Sequence, residues 1–383
     1  MKILLVSIAS PHFFNWTKQL EGSGHQVYWL DVYDSGGYFK QIDFVHQITG
    51  WRRRWDYPGR HRLKRKLPVL NKLINIFNEQ KLEKVFEEKL KQIKPDVVHS
   101  FVMYLATAPI LKVMQQNPQI KWIYSSWGSD LYYFRNEKAK LLDIQKTLPC
   151  INYLFTDCKR DYNIAQENGF KGSYLGTFPG GGGFSLKSAQ KFVLPLDEKD
   201  ILLIKGYQGR NGKAVEVLKS VTSLKEELKD YKIVVFGAPQ EVFDYVANSK
   251  ELLRFTNLKL FGQLPHREIL KLMGKAKIYI GNSTSDGMPN TLLEAIIMEV
   301  FSIQSNPGGA TAEIIKHGKN GLLIKNPGDS NEIAKLILKA IETPDLLKSG
   351  ITYNTQNIKP NLEREKIKKQ VLKKYKLVEN NLL

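Results

Sequence analysis

The chain has 383 residues, 42% of them apolar, and a formal net charge of +19. This length suits two domains of about 100–200 residues each, and the apolar share excludes a chain that is disordered in bulk. No run of about 18 uninterrupted apolar residues exists to cross a membrane as a helix, and two cysteines, Cys150 and Cys158, exclude a disulfide framework and lack metal-ligand spacing.

The surplus of Lys and Arg implies acidic partners: nucleic acid, an anionic membrane surface or phosphorylated substrates. Residues 1–6 predict a first strand. They are too quickly followed by His12, Asn15 and Lys18, with no small-residue cleavage site, to be a secretory signal. Cytoplasmic residence is therefore expected. A loop over 7–15, a short helix over 16–23 and a strand over 25–32 complete a βαβ opening. No Gly-rich dinucleotide fingerprint joins its strand to its helix, which argues against a bound NAD.

Residues 34–70 read as irregular and basic. Trp51, Arg52, Arg53, Arg54 and Trp55 are followed by Arg60, His61, Arg62, Lys64, Arg65 and Lys66, with Asp56 the only nearby acid. Tryptophans interleaved with arginines suit a membrane–water interface, where the ring lies at headgroup depth and the cation pairs with phosphate. The same composition suits single-stranded nucleic acid or a solvated basic face. No zinc finger, recognition-helix signature or RNP-type motif supports nucleic acid, so that partner is not expected.

Further on, residues 71–94 predict one helix ended by Pro95. Residues 97–101, 121–126 and 153–156 predict strands, and 106–116 a helix. The 121–126 strand runs into Trp127, Gly128, Ser129 and Asp130. Four consecutive glycines, Gly180 to Gly183, then mark a composition shift. Glycine tolerates backbone angles that other residues resist, so a hinge or a close approach to ligand is expected there. The boundary is placed to give an N-terminal domain over 1–184 and a C-terminal domain over 185–361. A terminal helix over about 362–383 is expected to pack back on the first domain.

The second half restarts the alternation. Strands are predicted over 200–204, 232–236, 258–261, 276–280, 301–304 and 322–324, and helices over 213–228, 266–274 and 330–343. The fold class is therefore α/β, with two doubly wound halves whose ligands bind at the carboxyl ends of parallel strands. The loops after Val6, Ser126, Ile204 and Ile280 lie at such ends.

The stretch after Ile280 is the most informative. Gly281 to Gly287 is a small-residue loop, and Pro289 starts a helix running through Leu292, Leu293, Ala295 and Ile296. Such a junction aims backbone N–H groups and the positive end of a helix dipole at whatever lies in front, a seat for phosphate. Asp286 and Glu294 would repel phosphate but accept hydrogen bonds from hydroxyls. The combination suggests a ligand with both phosphates and sugar hydroxyls. An ordinary strand–loop–helix unit with Pro in its first turn is the plainer alternative.

The second half resembles the signature of GT-B glycosyltransferases of the GT4, group 1 type. The matching segments are Ser285-Asp-Gly-Met-Pro-Asn-Thr-Leu-Leu-Glu-Ala295, Ser305-Asn-Pro-Gly-Gly309 with Glu313, and Asn320-Gly-Leu-Leu323. The resemblance implies two Rossmann-like doubly wound domains facing across a cleft. It gives Glu294 the ribose hydroxyls of a nucleotide-sugar donor and Asp286 the transferred sugar. Met288, Pro289, Asn290, Thr291 and Leu292 would lie along the pyrophosphate. Lys205 and Arg210, with Lys213 close behind, fit the family's basic pair. Such preorganised cations stabilise a diphosphate leaving group. Leu264, in the turn 262–265, is a plausible base seat. No Asp-x-Asp-type metal motif is present, so no metal and no cofactor is expected, the nucleotide-sugar being substrate.

In the first half, Trp127, Gly128, Ser129 and Asp130 resemble the family's His-Gly-Ser-Asp segment, with Trp127 in place of the His. Ser10, His12, His99, Trp127, Gly128 and Asp130 are the candidates for the acceptor or sugar side. Asp286 stands where the family commonly has Glu. The resemblance implies a retaining transfer, by family expectation from a UDP-sugar, to a glycan or lipid-linked acceptor in bacterial envelope polysaccharide assembly. Attachment to an anionic membrane would use Trp51 to Trp55. A non-catalytic GT-B subunit that stabilises another transferase remains open, because Trp127 and Asp286 both depart from the usual pattern.

Overall fold

The computed structural model describes residues 1–382, and of His61 the backbone only. Contacts divide it into two units. Unit 1 comprises residues 1–156 and 161–182 and the chain from Lys368 on; unit 2 comprises residues 157–160 and 183–367. The division falls between Gly182 and Gly183, where φ is +67° and +82°. A Cβ at Gly183 would come within 2.6 Å of Ile367 Cδ1, so both the backbone angle and the space call for glycine.

Unit 1 carries a seven-stranded parallel sheet. Its strands are β1 (Lys2–Ser7), β2 (Gln26–Asp31), β3 (His46–Ile48), β4 (Val97–Phe101), β5 (Lys121–Ser126), β6 (Tyr153–Thr156) and β7 (Ser173–Thr177). Their order is β3-β2-β1-β4-β5-β6-β7. Strands β1 and β4 sit side by side, Ile3 opposite Val97 and Val6 opposite Ser100. The chain order reverses between them. Central strands covered on both faces read as near-continuous apolar runs, and β1 and β4 are buried almost throughout. One face packs aliphatic residues such as Leu4, Val6 and Val98. Aromatics gather around Phe13, which lies 5.0 Å from Trp29 and 5.5 Å from Phe101 between ring centroids.

Unit 2 repeats the design with β8 (Ile201–Lys205), β11 (Lys232–Phe236), β12 (Leu258–Leu260), β13 (Ala276–Gly281), β14 (Phe301–Ser305) and β15 (Leu322–Ile324). Their order is β12-β11-β8-β13-β14-β15, so the reversal lies between β8 and β13. Successive side chains of a strand face opposite ways, and β8 shows this. Leu202 and Ile204 enter the core with Val217 and Val235, whereas Ile201 and Leu203 enter the core with Leu292 and Ile296. A small hairpin, β9 (Gln208–Gly209) with β10 (Gly212–Lys213), follows β8 and was not expected from the sequence.

Several boundaries move. Helix α1 (Pro11–Thr17) starts inside the expected loop, because the Ser10 hydroxyl accepts the Phe13 N–H at 3.2 Å and Pro11 occupies the first turn. The stretch read as irregular contains β3 and α2 (Arg60–Lys66). The helix expected over 71–94 is two, α3 (Pro68–Asn78) and α4 (Leu82–Ile93). The break has a cause outside the helix. Glu79 and Gln80 are drawn into backbone pairing with residues 52–54, Gln80 N–H donating to Arg52 O at 2.7 Å and Arg54 N–H to Asn78 O at 3.0 Å. The expected helix over 106–116 becomes a chain of short turns ending in Leu111–Gln115.

The last helix, Arg364–Asn380, passes into unit 1 at Lys368. Its Tyr375 hydroxyl accepts the Trp16 indole N–H at 3.3 Å. Leu383, the end of the range expected for this helix, lies outside the described residues.

Candidate functional site

In doubly wound sheets the crevice for ligand opens where the strand order reverses, at the carboxyl ends of the strands. In unit 2 that place is formed by Lys205, ending β8, and Gly281, ending β13. The loop from Asn282 to Pro289 leads into the helix Asn290–Ile297. It is fixed at several points. Ser283 N–H donates to Ser305 Oγ at 2.8 Å, Thr284 N–H to Arg210 O at 3.2 Å, and Asn282 O accepts Lys213 N–H at 2.8 Å. The β9–β10 hairpin is thus knitted to the loop by Arg210 and Lys213, two residues singled out by charge.

Asp286 accepts its neighbour Gly287 N–H at 2.9 Å through Oδ1. Its Oδ2 lies 3.8 Å from Lys205 Nζ. The Lys205 side chain is 8% exposed and its ammonium stands 4.8 Å over the Tyr207 ring, a cation–π contact. Gly287 is required by space: a Cβ there would meet Asp157 Oδ2 at 2.3 Å. Met288 is buried and Thr291 Oγ1 accepts the Tyr279 hydroxyl at 2.9 Å. Leu292 is turned wholly into the core, and its amide already donates to Pro289 O at 3.0 Å. The expectation that it lies along a phosphate is corrected on that ground.

Glu294 is nearly buried, and His266 Nε2 lies 2.7 Å from its Oε1. The hydrogen bond to Glu294 raises the His266 pKa above its ordinary value against the opposing effect of burial. His266 opens the helix His266–Lys275 directly after Leu264 and Pro265. Leu264 packs against the core that holds Leu292.

Sequence reasoning missed the segment 157–160, which belongs to unit 2. Arg160 is buried, and its Nη1 donates to Asp286 O at 2.9 Å and to Pro307 O at 2.7 Å. Glu313 accepts the Lys159 and Arg160 N–H groups at 2.7 and 2.8 Å. A cation thereby ties the two glycine-containing loops together through their carbonyls, and Glu313 holds that cation's backbone. No spacing in the sequence marks Arg160. Its only signal is the presence of Glu313 in the motif.

Unit 1 places its candidates differently. His99 is fully buried, with Nδ1 2.7 Å from the Tyr375 hydroxyl and Nε2 2.8 Å from Ser125 Oγ. Burial lowers its pKa well below the usual value, so the ring is neutral. It is a core residue, which corrects its assignment to the sugar side. Asp130 is corrected too. It accepts the Met103 N–H with both oxygens at 2.8 Å and the Tyr124 hydroxyl. Burial pushes its pKa up to about 7. The carboxyl anchors the turn after Val102, a β-branched residue at φ +70°, a conformation that needs such support.

Ser10 serves as the cap of α1. His12 is exposed, with its ring 6.4 Å from Trp127. Trp127 is half-buried, 4.7 Å from Phe101 and 6.4 Å from Trp16 between ring centroids. Gly128 follows at φ +63°, and a Cβ on Gly180 would touch the Trp127 indole at 3.3 Å. The structure gathers His12, Trp127 and Gly128 into one partly aromatic surface.

The basic stretch is also reassigned. Trp51 is 8% exposed and its indole N–H donates to Asp31 O at 2.8 Å, making it a core residue rather than a membrane anchor. Arg52 reaches Glu79 at 3.4 Å, and Arg53 pairs by its backbone with Glu79. Only Arg54 and Trp55 of the five are exposed. No helix among the described residues is long and apolar enough to cross a membrane.

Comparison with known proteins adds to this geometry. Residues 187–357 match the family model of glycosyl transferases group 1. Over 259 residues the chain is 22% identical to TuaC of Bacillus subtilis, whose assigned name is that of a teichuronic acid biosynthesis glycosyltransferase; the match covers 66% of this chain and 62% of that one. Over 146 residues it is 27% identical to a Campylobacter jejuni alpha-1,4-N-acetyl-D-galactosaminyltransferase that acts on a diNAcBac-PP-undecaprenol-linked glycan, covering 37% and 38%. The chain thus spans less than two thirds of the length of these relatives. Among solved structures, sucrose-phosphate synthase from Thermosynechococcus elongatus superposes with a TM-score of 0.72 at 14% identity, covering 100% of both chains. HepE of Anabaena, in complex with UDP and glucose, gives 0.65 at 15% identity, covering 98% and 100%. At such identities the likeness is one of fold, the two Rossmann-like units of GT-B glycosyltransferases.

Proposed function

We propose, from the membership of residues 187–357 in the glycosyl transferases group 1 family, that the chain transfers a sugar from a nucleotide diphosphate sugar, a UDP-sugar, to a glycan or lipid-linked acceptor. The setting is bacterial envelope polysaccharide assembly, at the cytoplasmic face of the membrane, with the protein held there peripherally. One observation carries the reading. At the strand-order reversal of unit 2, a nearly buried lysine stands 3.8 Å from a loop carboxylate, and the helix that follows carries a second carboxylate, bound only to an exposed histidine's ring nitrogen at 2.7 Å among its described hydrogen bonds.

Each group then has a task. Glu294 accepts the ribose hydroxyls, for which His266 stands in when no nucleotide is bound. The loop and first helical turn over Met288, Pro289, Asn290 and Thr291 receive the diphosphate, where N–H groups and the helix dipole favour negative charge. As the anomeric carbon–oxygen bond breaks, that electron pair goes to the diphosphate oxygen. Lys205 stabilises the developing charge, with Arg210 and Lys213 of the hairpin beside it. Asp286, held by Lys205, orients hydroxyls of the departing sugar. The acceptor hydroxyl attacks from the side the diphosphate leaves, giving retention, and its proton passes to a leaving-group oxygen. No protein nucleophile is needed. No cofactor or metal is assigned a role, since the cations supply the neutralisation; turnover in the presence of a chelator tests that point.

The decisive measurement is nucleoside diphosphate release from a panel of UDP-, GDP- and ADP-sugars. Release from a UDP-sugar that disappears in Glu294→Ala is expected. Donor binding, read as a rise in thermal stability, without release from any donor would overturn the enzyme reading in favour of a non-catalytic subunit.

A further inference from the structure

Helix α3 is inside out. Its buried residues are Asn71 and Asn78. Asn78 is clamped to the Trp55 backbone in both directions, accepting its N–H at 3.0 Å and donating to its carbonyl at 2.9 Å. The apolar side chains point the other way. Val69, Ile76 and Phe77 are 72%, 70% and 70% exposed, and Leu67, Leu70 and Leu73 are roughly half exposed. The positions 69, 73 and 76, and 70, 73 and 77, fall at the i, i+3/i+4, i+7 spacing of one helical stripe. Elsewhere among the described residues large exposed apolar side chains occur singly. A stripe this concentrated marks an interaction surface.

The charge around it selects the partner. Residues 57–78 contain no Asp or Glu, while Arg60, Arg62, Lys64, Arg65, Lys66 and Lys72 all lie within them. We infer that α2 and α3 form a docking surface for an anionic lipid bilayer. The α3 stripe enters the boundary between headgroups and acyl chains, and the α2 cations pair with lipid phosphates, the arrangement of a helix lying in a membrane interface. A second copy of this chain fits poorly, because it would set like charges against each other. Nucleic acid would neutralise the cations but leave the apolar stripe in water. The inference rests on the peripheral-membrane part of the function proposed above, and it moves the contact from Trp51–Trp55 to α2 and α3.

Sedimentation of the full chain with vesicles tests it. Binding is expected to mixed phosphatidylcholine–phosphatidylglycerol vesicles, weaker to phosphatidylcholine alone, and weaker in high salt. The triple variant Leu73→Ser, Ile76→Ser, Phe77→Ser changes only exposed or outward residues, so an unaltered melting temperature is expected with at least about a tenfold loss of vesicle binding. Arg62→Glu with Arg65→Glu gives a loss of about tenfold or more, confined to the anionic vesicles. Donor-induced thermal stabilisation stays as in the unsubstituted protein for both variants. Failure of the unsubstituted protein to bind anionic vesicles overturns the membrane reading and this surface together. Undiminished binding by both variants overturns this surface alone and leaves peripheral attachment to another face.

Discussion

Units 1 and 2 share one plan, a parallel sheet whose strand order reverses once, yet they treat the polar residues at that reversal in opposite ways. In unit 2, Lys205, Asp286 and Glu294 keep part of their surface or a replaceable partner, such as His266. In unit 1, His99 on β4 and Asp130 in the turn after β5 are buried and spent on Tyr375, Ser125, Tyr124 and the Met103 amide. What unit 1 leaves outward is aromatic and glycine surface at His12, Trp127 and Gly128. The same topology thus builds one charged site and one apolar platform. The fold determines where a site can be, and the side chains decide what it does.

The contrast can be broken most forcefully at Lys205. Lys205→Ala is expected to lower the rate of sugar transfer by about a hundred- to a thousandfold, the usual effect of removing one preorganised charge-stabilising group, while donor-induced thermal stabilisation falls much less. Equal losses in binding and rate would make Lys205 a ground-state contact only. Next in size is Asp130. Asp130→Ala leaves the Tyr124 hydroxyl and Met103 amide without their acceptor, which costs about 1–3 kcal/mol for each stranded group. Chemical denaturation should register that loss, with nucleotide-sugar affinity unchanged. A loss of donor affinity instead would contradict the assignment of Asp130 to the structure of unit 1.

A pH series sharpens the same point. The Asp130 carboxyl has its pKa raised to about 7 by burial, so the folded state holds its proton more tightly than the unfolded chain does. The stability this contributes is complete below the ordinary carboxylate range and is lost as pH rises toward about 7. Asp130→Asn should flatten that decline; an undiminished decline would assign it to other groups. The smallest effect belongs to His266, whose pKa is raised by its bond to Glu294. If ribose hydroxyls displace the ring, His266→Ala should tighten UDP binding by no more than about tenfold, one neutral-to-charged hydrogen bond. It should also remove the pH dependence of that binding above the ordinary histidine range. Weaker binding would make His266 a donor contact in its own right.

How much of this was legible in the sequence depended on whether a feature is local. The strand–loop–helix unit after Ile280 was legible because Gly281, Asp286, Pro289 and Glu294 lie within one short stretch whose spacing is its geometry. The alternating apolar runs gave both sheets, apart from short elements such as β3, β7 and the hairpin. His266 and Arg160 escaped because one meets the helix at Glu294 and the other the loop at Asp286 across many residues of chain, and no periodicity records such a meeting. His99 and Asp130 were misplaced for another reason: a strand end does not reveal whether a polar side chain faces solvent or a buried partner. The stripe on α3 has the spacing of a core-facing helix, and only the structure shows that its neighbours pack against Asn71 and Asn78 instead.

Arg160 and Tyr375 carry a practical consequence for anyone dividing the protein. A fragment beginning at Gly183 would contain the whole matched family region, yet the carbonyls of Asp286 and Pro307 would lose the guanidinium that joins them. A fragment ending at Gly182 would strand His99 Nδ1 and the Trp16 indole, which both meet the Tyr375 hydroxyl. Neither unit is a continuous length of chain. Cutting at the glycines therefore yields two incomplete pieces, and assays on either would understate what the intact chain does.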